Sequence, residues 1–210
     1  MKKKAKILGG TMRELYLKGK GANKDKKLIN EFVAKSFKKV ENLGSFIVLE
    51  SANLLTLKTL TKHKVNLSKV DIPNPVKETY DEIKRHHDNT YQELLGEYLD
   101  RMHEVPENKE CYAGVWFDYC CSILGNDTIT PKGDIFKYFQ YKLPADKSIL
   151  AYTFSSRWPK TTFKYENIYK MEKFVQEVAF KHGYVAIKIP EGTKSYPAGM
   201  FFNAFTIFKI

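Results

Sequence analysis

Residues 112 to 126 read Tyr112-Ala113-Gly114-Val115-Trp116-Phe117-Asp118-Tyr119-Cys120-Cys121-Ser122-Ile123-Leu124-Gly125-Asn126. The run opens with apolar, β-favouring residues and changes abruptly at Asp118 to an acid followed by small polar groups. An unbroken apolar run predicts a strand buried on both faces, as in parallel sheets covered by helices. In open α/β sheets ligands bind beyond the carboxyl ends of the strands, so Asp118 is expected at the mouth of a crevice rather than in the core.

The flanking sequence alternates helix and strand. Ile29, Phe32, Val33, Phe37 and Val40 repeat at helical spacing from Lys27 and stop before Gly44. Residues 45 to 50 predict a strand ending in Glu50, with Ser51 as the N-cap of a helix carrying Leu54, Leu57 and Leu60. A short strand over 69–72 runs into Pro73-Asn74-Pro75, where Asn74 caps and Pro75 opens a helix with Val76, Tyr80, Ile83 and His87 inward. Residues 90 to 95 are expected as a third strand, with Gly96 as a turn before a helix over 97–102. Beyond the central strand, Thr130 and Pro131 start a helix bearing Ile135, Phe136 and Phe139, and 148–154 is a fifth strand. A helix over 165–181, with Ile168, Met171, Val175 and Val178 inward, is closed by Gly183.

The last part of the chain changes pattern. Strands are expected over 185–189 and 200–210, joined by a turn-rich loop without a helix, so they must run antiparallel. The predicted fold class is α/β: a Rossmann-like, mostly parallel seven-stranded sheet flanked by helices and ending in an antiparallel strand pair.

A chain of 210 residues suits one such domain. No run approaches the about 18 apolar residues of a membrane span, and the charged start lacks a signal-peptide core. The adjacent Cys120 and Cys121 with a lone Cys111 do not make a disulfide framework. An intracellular protein, cytoplasmic or nuclear, is therefore expected. Residues 1 to 27 hold ten Lys or Arg against Glu14 and Asp25, which places about +8 of the formal +11 charge there. Residues 1–26 are expected to form a flexible basic tail and 27–210 the folded domain. So dense a positive segment raises phosphate affinity through counterion release, which makes nucleic acid the expected partner of the Lys-rich residues 1–27. The histidines show no ligand spacing with one another or with cysteine, and no metal is expected.

The order of five parallel strands, a helix and an antiparallel pair resembles the class I S-adenosylmethionine-dependent methyltransferases. The local motifs resemble a divergent branch of that superfamily: Leu49-Glu50-Ser51-Ala52-Asn53 after the first strand, Ile72-Pro73-Asn74-Pro75 after the second, Phe117-Asp118-Tyr119-Cys120 at the fourth, and residues 149–155 as the fifth. The likeness covers residues 45 to 210. It implies S-adenosylmethionine as cofactor, held by Glu50 at its ammonium, by the turn Ser51, Ala52 and Asn53, by Asn74 near the ribose, and by Asp118. It also implies that Asp118 and Tyr119 act at the reacting group of a nucleic-acid substrate. Ser51-Ala52-Asn53 stands where relatives carry a glycine-rich turn, and Asn74 where most carry an acid. A methyltransferase-like module that binds nucleic acid or protein without catalysis is the second reading.

Overall fold

The computed structural model describes residues 20–122, 130–155, 164–196 and 200–210. Of the basic segment, residues 1–19 lie outside the described residues. Among the described residues eight strands form one sheet: β1 (Ser45–Val48), β2 (Val70–Pro73), β3 (Thr90–Tyr91), β4 (Tyr112–Ser122), β5 (Pro144–Ser155), β6 (Tyr184–Lys188), β7 (Lys194–Tyr196) and β8 (Met200–Lys209). Seven of them follow the order β3-β2-β1-β4-β5-β8-β6, and β7 also pairs with β8. The pairings of β1 with β2 and β4, of β2 with β3 and of β4 with β5 are parallel. β8 runs antiparallel to β5, β6 and β7. The expected class, with its reversed terminal pair, is the class observed.

Helices α1 (Lys20–Val40), α2 (Leu55–Lys62) and α3 (Lys77–Lys84) cover one face of the sheet, and α4 (Leu95–His103), α5 (Pro131–Gln140) and α6 (Lys164–Lys181) the other. The first face buries Ile29, Val33, Phe37, Leu57, Leu60 and Ile83 against Phe46, Val48 and Trp116. The second buries Leu99, Ile135, Phe139, Met171 and Val175 against Val115, Phe117, Leu150 and Tyr152. Side chains alternate along β4, so Trp116 and Asp118 share the α1 face while Phe117 and Tyr119 share the opposite one.

Four local expectations need correction. α1 begins at Lys20 rather than Lys27, and Lys26 is only 7% exposed, so the folded part takes in residues assigned to a tail. β3 is confined to Thr90–Tyr91, and Gly96 lies inside α4 instead of forming a turn before it. Val76 is exposed ahead of α3, and of the expected stripe Ile83 is the member buried on α3, His87 being buried beyond its end. The loop expected over 190–199 contains β7, which continues the line of β6 along β8 after a short excursion. Pro190 has no N–H to give the ladder, and Gly192 fits where a Cβ would stand 2.6 Å from that of Ala204, so the strand detours there and then resumes.

Candidate active site

β1 and β4 are neighbours in the sheet and each brings an acid toward its carboxyl end: Glu50 just past β1, and Asp118 within β4, whose pairing with β5 shifts register beyond it. Glu50 follows β1 two residues on, on the side of Val48, and is 7% exposed. Its Oε1 accepts the Ser51 N–H at 2.8 Å and its Oε2 accepts the Leu57 N–H at 2.7 Å. The second bond satisfies an amide in the first turn of α2, which otherwise has no intrahelical partner. The expected Ser51 cap is replaced: the N-cap position is Leu54, held at φ 55° in the left-handed region, and its own side chain makes no capping bond. Glu50 does from within the sheet edge what Ser51 was expected to do from the turn.

Asp118 lies half-buried on the α1 face. Its Oδ1 accepts the Thr153 hydroxyl at 2.7 Å, from the residue directly opposite it on β5. Its Oδ2 accepts the ammonium of Lys26 on α1. That ammonium also sits 5.6 Å from the centroid of the Trp116 ring, two residues before Asp118 on the same face. The indole Nε1–H of Trp116 is buried and has no acceptor among the described residues. Glu50 senses the same cluster. Burial raises its pKa to about 7; the Leu57 and Ser51 amides oppose that rise, Asp118 adds to it and Lys26 works against it. The sequence-expected acids are thus brought together at one rim, with Lys26 as a member the sequence reading did not include. One signal for it exists in the sequence: Lys26, Asn30, Val33 and Phe37 fall at i, i+4, i+7 and i+11, the buried face of α1.

Tyr119 is elsewhere. It is 3% exposed, packs against Phe117, and donates its hydroxyl to Asp134 Oδ2 of α5 at 2.8 Å. Adjacent strand residues point to opposite faces, so Asp118 and Tyr119 do not converge on one acceptor. Asn74 is at the rim: its Nδ2 donates to the Glu50 carbonyl at 3.0 Å and its Oδ1 accepts the Val76 N–H at 3.0 Å. An amide group has two N–H donors and two lone pairs, so one of each remains for a ligand. Ser51 and Asn53 are exposed and Ala52 half-buried in the turn between them. A separate open groove between α2 and α3 takes in Ala52, Asn53, Lys58, Glu82 and His86 but not Glu50, Asn74 or Asp118.

No protein-family model matches the chain, and a search of curated proteins returns no match. Solved structures do match. The complex of Trm1 from Pyrococcus horikoshii with S-adenosyl-L-methionine is 12% identical, with a TM-score of 0.58 over 87% of this chain. This chain spans 55% of that one. The O-methyltransferase from Bacillus cereus in complex with SAH is 8% identical, with a TM-score of 0.56 over 86% of this chain and 80% of that one. The methyltransferase domain of bacterial CtHen1-C is 13% identical, with a TM-score of 0.55 over 87% of this chain and 98% of that one. The fold is that of the class I methyltransferases. In this methyltransferase-like fold the cluster of Glu50, Asp118, Thr153 and Lys26 occupies the carboxyl edge of the parallel strands, and among the described residues no helix is long and apolar enough to cross a membrane.

The buried acids set a pH dependence. Glu50 has a folded pKa of about 7 against an ordinary 4.5, and Asp134 about 6 against 3.8, in both cases mainly through burial. The folded state therefore binds more protons than the unfolded chain across those intervals, and stability falls as pH rises through them. Glu31, held down to about 2 by Lys62 and His63, and Glu41, held down mainly by Lys38, act the other way, withdrawing stability in acid. Stability is expected to peak near about pH 5, with Glu50 alone withdrawing roughly 3 kcal/mol by pH 8. Urea midpoints measured from pH 5 to 8 should decline, and Glu50→Gln should flatten the decline; equal slopes in the two proteins would contradict the assignment.

Proposed function

We propose that the chain is an S-adenosylmethionine-dependent methyltransferase that acts on nucleic acid. The observation that carries the reading is the pair of acids from separate strands, Glu50 and Asp118, gathered around a buried ammonium at the carboxyl edge of a class I fold. The cofactor's methionine part ends in an ammonium of the same kind, and Lys26 Nζ stands in for it. The other donors suit the group as well. Asn74 keeps one N–H and one lone pair for a ribose hydroxyl, and the Trp116 N–H lacks a partner among the described residues. When bound, the cofactor supplies an electrophilic methyl on a sulfonium. The protein's part is then alignment and exclusion of water. Asp118, oriented by Thr153, would hold the cofactor's ammonium in the place Lys26 takes and so fix the donor for in-line attack, the acceptor's proton passing to solvent. Tyr119 supports the strand from the far side and is left out of the reaction.

The polyanionic acceptor is supported by charge: the lysines concentrate in residues 1–27, and Lys24 and Lys27 are exposed on α1. The assay is transfer of labelled methyl from S-adenosylmethionine to mixed DNA and RNA, with label in the polymer as the expected result. Log affinity for the polymer should fall steeply with log salt, and changing Lys2, Lys3, Lys4 and Lys6 to Gln should flatten that slope by about 3. An unchanged slope would remove the basic segment as the contact.

One feature favours the second reading, a binding module without catalysis: the ammonium at Asp118 belongs to the protein itself. Under that reading S-adenosylmethionine at millimolar concentration leaves the melting temperature unchanged. Under the first it raises it, because a ligand of the folded state stabilises by mass action.

A further inference from the structure

We propose that Lys26 is a built-in latch on the cofactor crevice: an intramolecular ammonium that occupies the cation position at Asp118 and must leave before an ammonium-bearing ligand enters. The inference rests on the methyltransferase reading and adds regulation to it. Lysine is rarely buried without a partner, and Lys26 is 7% exposed with Asp118 Oδ2, the Trp116 ring and the charge of Glu50 around its head. It reaches them from the amino-terminal part of α1, six residues into that helix, while the firmly packed stripe of α1 begins three residues later at Ile29. On either side of it Lys24 and Lys27 are exposed.

A tethered cation competes at high effective concentration, and the apparent affinity for the external ligand drops by the fraction of molecules in which the latch is open. Lys26 leaves no orphaned carboxylate behind when the ligand's own ammonium replaces it at Asp118. The exchange of one ion pair for another therefore makes opening affordable, whereas withdrawal without a ligand strands a half-buried carboxylate beside Glu50.

The test is calorimetric titration of S-adenosylmethionine and S-adenosylhomocysteine into the wild-type chain, Lys26→Met and Lys26→Arg, each first checked for a cooperative melt. Lys26→Met keeps the length and removes the charge, and it should bind at least about 10-fold more tightly. Lys26→Arg keeps a cation and should stay within about 3-fold of wild type. Hydrogen exchange in the unmodified protein supplies a readout that needs no variant: both ligands should speed exchange over residues 24–30. If the wild type binds and Lys26→Met binds no more tightly, or if the ligands slow exchange over 24–30, the latch is overturned while the methyltransferase reading stands. If no folded variant binds, both are overturned.

Discussion

Gly44→Ala is expected to destabilise the protein by about 3 kcal/mol or more. Gly44 sits between the short turn that ends α1 and the first residue of β1. A Cβ there would stand 2.1 Å from the carbonyl oxygen of Cys111 and 2.9 Å from its carbonyl carbon. Both atoms are backbone, immediately before β4, so no side-chain rotation relieves the overlap. The same carbonyl accepts the Ser45 N–H at 2.8 Å, and the ladder of β1 with β4 shifts register just beyond, between Ser45 and Phe46. An alanine must push the two central strands apart where their pairing begins. Gly183→Ala makes the control: its φ of +89° favours glycine, but open space surrounds the missing Cβ, and the cost should be about 1 kcal/mol. Urea unfolding of both variants measures the contrast, and a Gly44→Ala midpoint as high as that of Gly183→Ala would contradict the packing described.

Under the proposed function, Asp118→Asn is expected to lower the rate of methyl transfer at subsaturating cofactor by about 30-fold, the size of a lost charge-assisted bond to the cofactor's ammonium. The carboxamide retains the shape of the group and an oxygen for the Thr153 hydroxyl, so the strand end should hold its geometry. Tyr119→Phe should change the rate by less than about 3-fold, because its hydroxyl bonds Asp134 in the opposite layer. Its cost should appear in stability instead: a buried Asp134 that loses its donor destabilises the fold by about 1 to 3 kcal/mol. Single-turnover rates for the two variants separate the roles. A Tyr119→Phe rate as low as that of Asp118→Asn would restore the expectation that Tyr119 lines the site with Asp118.

Much of the architecture was legible because it is written in period. The apolar runs that became β1, β4 and β5, the helical spacing of Ile29 to Val40, and the two terminal strands without a helix between them fix a mixed sheet by connectivity alone. The acids Glu50 and Asp118 were legible for the same reason, since each ends a buried run. The period-2 rule that sets Trp116 and Phe117 on opposite faces also separates Asp118 from Tyr119, so a motif that brings both to one acceptor conflicts with strand parity. Lys26 was missed because a lysine reads as solvent-facing until its partner is known, and that partner lies 92 residues away on β4. The cap of α2 was misassigned because a serine at a turn is a common local cap, while a carboxylate reaching from the preceding strand is a tertiary contact that outranks it. β7 was hidden by Pro190 and Gly192, which signal a turn even where the strand resumes beyond it.

The most direct measurement of the central claim, that the sheet edge between Glu50 and Asp118 is a cofactor site, is a crystal structure of the chain grown with S-adenosylhomocysteine. The expected result is ligand density over the carboxyl ends of β1 and β4, its ammonium at Asp118 in place of Lys26 and its ribose within reach of Asn74. Density confined to the groove between α2 and α3, or none at saturating ligand, would contradict it.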